Sequence, residues 1–303
     1  MTTAHPSTST VQPVQSIQMI VAWTAMLIVS PLPEIISGLI TPNPPGWFLW
    51  FDFGALILLL GLSFTQPALQ GLRGFLLAIL AYMVGGVIWV SVRNSTAYSN
   101  WTQNTSWALT QIVEVSGHLL GVIFMALTLI GSGLTRRDLF LVKGDPNALA
   151  QPSPLHQTKE PQPWPRIIRD WLPWYLGIMI LVLVLTFRPD LSRFAHALVY
   201  LPTVIIASAI NAFQEEFRFR SVLLARLGSV LGPNRALWLT AIFFGLNHIV
   251  GSQPNGPWGF FLATYLGWFL GKSMLETRGF YWAFLIHFLG DFAIFLFIAT
   301  EHV

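Results

Sequence analysis

Apolar residues along this chain come in long runs rather than in alternation. The runs fall at about 17–40, 46–64, 73–92, 106–132, 171–187, 195–222, 234–250, 258–274 and 279–299. Crossing about 30 Å of hydrocarbon takes roughly 20 mostly apolar residues. A backbone in lipid must satisfy its own polar groups, which for single apolar segments means helix. The expected fold class is therefore all-α, a polytopic transmembrane helix bundle of about nine helices. The polar stretches between the runs are short, with one exception at 135–170.

That exception divides the chain. Residues 1–16, rich in Thr, Ser, Pro and Gln, are expected to form a disordered tail. Residues 17–134 form a four-helix membrane region, 135–170 a polar cytoplasmic linker, and 171–303 a second membrane domain. The first apolar run has no Lys or Arg before it and carries Pro31, Pro33 and Glu34 near its end, so it reads as a retained helix rather than a cleavable leader.

Composition sharpens this reading. Charged residues make up 10% of the chain and hydrophobic types 54%, against roughly 25% charged for a soluble domain. The 13 Trp and 6 Tyr suit a protein with two membrane interfaces. The chain has no cysteine, which removes disulfides, thiolate metal sites and thiol nucleophiles. A net charge of +3, spread over short loops, speaks for membrane topology signals and against a nucleic-acid partner. With the 135–170 linker in the cytoplasm, thirteen of the sixteen Lys and Arg lie at the inner side, and only Arg93, Arg188 and Arg193 lie outside. The expected orientation has the N-terminus cytoplasmic and the C-terminus outside. Three N-x-[ST] matches, at Asn94, Asn100 and Asn104, come from a loop rich in those residue types and carry no functional weight.

The chemistry concentrates in Ala212-Phe213-Gln214-Glu215-Glu216-Phe217-Arg218-Phe219-Arg220. Each charge near a bilayer centre costs about 2.5–3.5 kcal/mol on insertion scales, so such a cluster must be paired, face water, or sit at a helix end. Glu216 and Arg220 are four apart, which suits an ion pair on one helix face. Glu215 points about 100° away. One carboxylate is then structural and the other is free to act as a base. Two further pairs repeat the one-turn spacing: Phe244 with His248, and His287 with Asp291. Asp291 either holds His287 in one tautomer or joins it in facing a common centre. A lone helical His is more often a packed core residue. All three pieces are expected to meet in the inner half of the membrane. Glu114 and His118, four apart in the fourth run, either line a cavity or pair with each other or a neighbouring helix. Gly85-Gly86 suits close helix packing.

In order, Glu215-Glu216…Arg220, Phe244…His248 and His287…Asp291 resemble the CPBP family, which includes CAAX prenyl endopeptidases and bacteriocin-processing or Abi proteins. The resemblance covers about residues 170–303. It implies an intramembrane endopeptidase acting on membrane-associated protein or peptide substrates, with lipid and substrate as partners. By that analogy Glu215 activates water with help from His248, His287 and Asp291 stabilise the oxyanion, and Glu216, Arg220 and Phe244 support the site. Asp291 stands where prenyl-processing members carry Asn, and an ionised Asp cannot donate to an oxyanion. Bacterial-type members are thus the closer match, implying a bacterial inner (cytoplasmic) membrane. Two cofactor schemes stand side by side: zinc held by Glu215, His248 and His287, or water alone. Two other functions fit the residues: a non-catalytic scaffold or immunity-type member of the same family, and a transporter using the buried charges as an ion path.

Overall fold

A computed structural model describes residues 13–40, 46–156, 159–190, 192–251 and 253–303. The helices are α1 (Pro13–Ile28), α2 (Leu32–Ile40), α3 (Phe48–Thr65), α4 (Arg73–Arg93), α5 (Thr96–Gln103), α6 (Trp107–Gly117), α7 (Leu119–Leu127), α8 (Trp164–Phe187), α9 (Arg193–Ala197), α10 (Leu201–Glu216), α11 (Ala225–Leu231), α12 (Pro233–Leu246), α13 (Gly256–Thr277) and α14 (Tyr281–Thr300). A short 3-10 segment, Pro67–Leu72, leads into α4. A π-helical segment, Phe217–Leu224, joins α10 to α11. The fold is all-α and polytopic, as the apolar runs require.

Among the described residues, six helical stretches are long and apolar enough to cross a membrane: 48–65, 67–93, 107–127, 164–187, 193–231 and 281–300. The pair α1–α2, bent by 61°, makes a seventh if counted as one span. These correspond to seven of the nine expected runs. The other two are helices of a different kind. With only 14 residues, α12 reaches about 21 Å at 1.5 Å per residue. It is buried on nearly all sides, from Ala236 to Leu246, as a helix apolar all round should be. Its partner α13 is 22 residues long, but Lys272, Glu276 and scattered Gly and Thr dilute its apolar character. The count of nine spans is therefore approximate.

Helix ends follow local rules. Ser95 Oγ accepts from Tyr98 N at the start of α5, and Ser106 Oγ accepts from Leu109 N at the start of α6. Gly232 (φ +85°) turns the chain between α11 and α12, with Pro233 opening the next helix. Residues 1–12 of the expected tail lie outside the described residues. From Pro13 onward the tail is already helical, and Arg235 Nη1 donates to Gln15 Oε1 at 3.1 Å.

The 135–170 stretch does more than connect. Its first part is docked on the α13–α14 turn. Asp145 N donates to Thr277 O and Phe280 N to Val142 O, each at 2.8 Å. Trp282 Nε1 donates to Pro146 O at 2.8 Å. Two-residue strands β1 (Leu149–Ala150) and β2 (Gln162–Pro163) pair antiparallel. Glu276 accepts from Gln151 N and Trp164 Nε1, both at 3.1 Å. Seven residues earlier than expected, α8 begins at Trp164, which is fully buried against Phe269.

Close approach between helices depends on glycine. A Cβ on Gly85 of α4 would lie 2.5 Å from the Gly121 backbone of α7, whereas Gly86 meets nothing. On α13, a Cβ on Gly267 would fall 3.1 Å from Phe244 and 3.2 Å from Arg220 Nη2. The missing side chain makes the room in which Arg220 lies.

Candidate active site

The C-terminal ends of α10 and α12, the middle of α14 and one π segment bring the polar residues together. Glu215 and Glu216 close α10, just before the hydrogen-bonding pattern loosens to the π form. Such segments recur at functional sites because they rephase the side chains that follow. Glu216 is fully buried and Arg220 is 1% exposed. Arg220 Nη1 lies 3.0 Å from Glu216 Oε1. The same oxygen sits 2.7 Å from His287 Nδ1. The Arg220 guanidinium lies 4.3 Å above the Phe244 ring, a cation–π contact that partly offsets its desolvation. Phe244 also meets His287 edge-on at 5.8 Å and His248 at 4.5 Å.

His287 is thus fixed from one side. Nδ1 carries a proton that it donates to Glu216, and Nε2 faces the other groups. Nε2 lies 3.4 Å from Glu215 Oε2 and 3.7 Å from Asp291 Oδ1. Of the two arrangements open from sequence for His287 and Asp291, the structure has them sharing a centre. The Nδ1 partner is Glu216. The second Asp291 oxygen accepts from Asn211 Nδ2 at 3.1 Å, and Asn211 Oδ1 accepts from Gln214 Nε2 at 2.9 Å.

His248 sits just beyond the end of α12, in a turn rather than inside a span. Its Nδ1 lies 2.9 Å from Phe244 O, one of the carbonyls a helix end leaves without a partner. That contact leaves Nε2 available. Glu215, His248, His287 and Asp291 all line one cavity of about 680 Å³, which Phe244 also borders. Glu216 and Arg220 are behind its wall. Among the described residues, no group of three or more His, Asp or Glu side chains is arranged to hold a metal ion. As placed, the candidate zinc set Glu215, His248 and His287 does not form a metal cage.

The opposite side of the cavity comes from the N-terminal helices. Tyr82, Arg93, Gln111, Glu114 and His118 line it. Glu114 accepts from Tyr98 OH at 2.9 Å and lies 3.3 Å from Arg93 Nε. It therefore both lines the cavity and pairs with neighbouring elements, not with His118. In the sequence Glu114 and His118 stood out on these helices and Gln214 and Arg218 within the charged stretch, while Asn211 and Tyr82 did not. Asn211 had a readable signal, a polar residue one turn before Glu215 in an apolar helix. Tyr82 had none.

Fold and site together define an integral membrane protein with a carboxylate–imidazole centre on the wall of a partly open cavity. Residues 197–293 match the family model described as Rce1-like, type II CAAX prenyl endopeptidase. The matched part is similar to that family of intramembrane proteases, and every residue of the centre lies within it. No curated protein and no solved structure matches the chain.

Proposed function

We propose that the protein hydrolyses peptide bonds of membrane-associated protein or peptide substrates, using a water activated by Glu215. The observation that carries this reading is the split between two adjacent carboxylates. Glu216 is consumed by Arg220 and His287 in a dry interior, while Glu215 lies on the cavity wall, 3.4 Å from His287 Nε2.

The reaction then runs on the chain's own groups. A water between Glu215 and His248 Nε2 gives a proton to Glu215, and its oxygen bonds to the scissile carbonyl carbon. The developing oxyanion accepts a hydrogen bond from protonated His287 Nε2, whose charge Glu216 balances from the far side. The carbon–nitrogen bond breaks as Glu215 returns the proton to the departing amine. One peptide and one water yield a carboxylic acid and an amine. Asp291, steadied by Asn211, accepts and orients; while ionised it cannot donate to the oxyanion.

Glu215→Gln and His248→Gln are each expected to lower cleavage of a co-reconstituted membrane peptide by 10²-fold or more, on the scale of a lost acid–base group. Both variants should still insert and run as a single species in detergent. Retention of near-normal turnover by Glu215→Gln would overturn the proposal.

A further inference from the structure

The charges around the cavity can be paired off. Arg93 meets Glu114 at 3.3 Å, Arg220 meets Glu216 at 3.0 Å, Glu215 meets His287 at 3.4 Å, and Asp291 meets Asn211 and His287. Arg218 is the exception. It lines the cavity but forms no ion pair with a carboxylate among the described residues. Its guanidinium lies 4.5 Å from the Tyr82 ring and 3.9 Å from the Phe219 ring, and Nη1 donates to the Tyr82 hydroxyl. Its buried Nε has no hydrogen-bond partner. Aromatic faces offset part of the cost of keeping a cation away from water; Arg218 is half-buried, and the carboxylate whose charge acts on it, Glu215, lies beyond ion-pair distance. Such a group is ready-made for an anion that arrives with the substrate.

Resting on the peptidase reading, we infer that Arg218 and Tyr82 form a substrate subsite for a peptide carboxylate, built across the seam between the hydrolytic centre and α4. Arg218 lies three residues after Glu215, at the start of the π segment, and both side chains line the same cavity. A peptide advances about 3.3–3.6 Å per residue. The carboxylate therefore falls within about three residues of the cleaved bond. It belongs either to an acidic side chain or to the peptide's own C-terminus; the guanidinium fork suits both.

The subsite can be read without catalysis. Full-length Glu215→Gln protein in detergent is titrated with a fluorescent, N-acylated peptide series. One set carries a single Glu or its Gln counterpart at successive positions, and the other ends in a free acid or an amide. Binding about tenfold or more tighter for the charged member of one pair is expected. That advantage should shrink to about twofold or less when Arg218→Gln is added. The pair that responds tells a side-chain carboxylate from a terminal one. Equal binding across every pair would overturn the inference with no substitution at Arg218 needed, so a folding defect in that variant cannot shelter it. A preference that survives Arg218→Gln would overturn it too, since another group would then hold the anion. If the charge preference appears but native protein cleaves no member, the hydrolytic reading fails and the subsite stands.

Discussion

Glu216 offers the sharpest quantitative test, because its two partners and its burial are all defined. Replacing it by Gln keeps the side-chain shape and an acceptor for His287 Nδ1 but removes the charge facing Arg220. Two unit charges 3.0 Å apart attract by about 5.5 kcal/mol at an effective dielectric of about 20. Measured losses for breaking a buried pair run about 3–5 kcal/mol, since the survivor stays buried and unpaired. Arg220 has nowhere to go: it is 1% exposed, with Phe244 on one side and Gly267 of α13 on the other. At about 2–4 °C per kcal/mol, Glu216→Gln should lower the thermal midpoint in detergent by about 10 °C. Adding Arg220→Met removes the orphaned cation and should recover at least half of that loss. A midpoint within about 1 °C of native for Glu216→Gln would refute the structural role. So would a double variant whose loss is the plain sum of two separate losses.

Three more outcomes follow from the same geometry. Asn211→Leu deprives Asp291 Oδ2 of its 3.1 Å donor and is expected to cut turnover about tenfold with KM little changed, an effect of the size seen for outer-shell partners; unchanged kcat would remove Asn211 from the mechanism. Gly245→Val drives a side chain at the Phe260 carbonyl, 2.7 Å from a Cβ built there. Overpacking of this kind costs about 1–3 kcal/mol, read as a lower thermal midpoint, with cleavage falling as His248 shifts. Because Glu215, His248 and His287 do not converge as a metal set, cleavage should survive dialysis against EDTA. Activity lost on dialysis and restored by stoichiometric zinc would show the centre to rearrange around an ion.

The membrane class and seven of the spans were legible because run length against bilayer thickness is a one-dimensional measurement. The Glu216–Arg220 pair was legible for a similar reason, since four-residue spacing survives into the π segment. What sequence could not supply was phase and partnership. Nothing in residues 217–224 announces a π segment, so where Arg218 points could not be read from helical periodicity. The Nδ1 partner of His287 turned out to be 71 positions away rather than four. The polar stretch after Thr135 looked like a tether because its side chains are polar; its anchoring to the turn before α14 runs largely through backbone groups, which leave no mark on composition.

The match to the family model stops short of the helices that close the cavity, and that division has a physical consequence. On the proposed mechanism hydrolysis needs a base, an oxyanion donor and a structural ion pair, and residues 197–293 would supply all three. Those groups would work poorly facing open lipid, where no water could reach Glu215, and poorly in bulk water, where a donor such as His287 loses strength. A cavity of about 680 Å³ bounded by Tyr82, Gln111, Glu114 and His118 gives the intermediate condition. On the proposed function it would take water and a peptide segment and keep both against protein. Chemistry and selection are thereby assigned to different parts of the chain. Changes on α10, α12 and α14 should alter rate for every substrate, while changes on α4 and α6 should alter which peptides are accepted. If substitutions at Tyr82 or Gln111 slowed all substrates by one common factor, that division would fail, and the N-terminal helices would be only a wall.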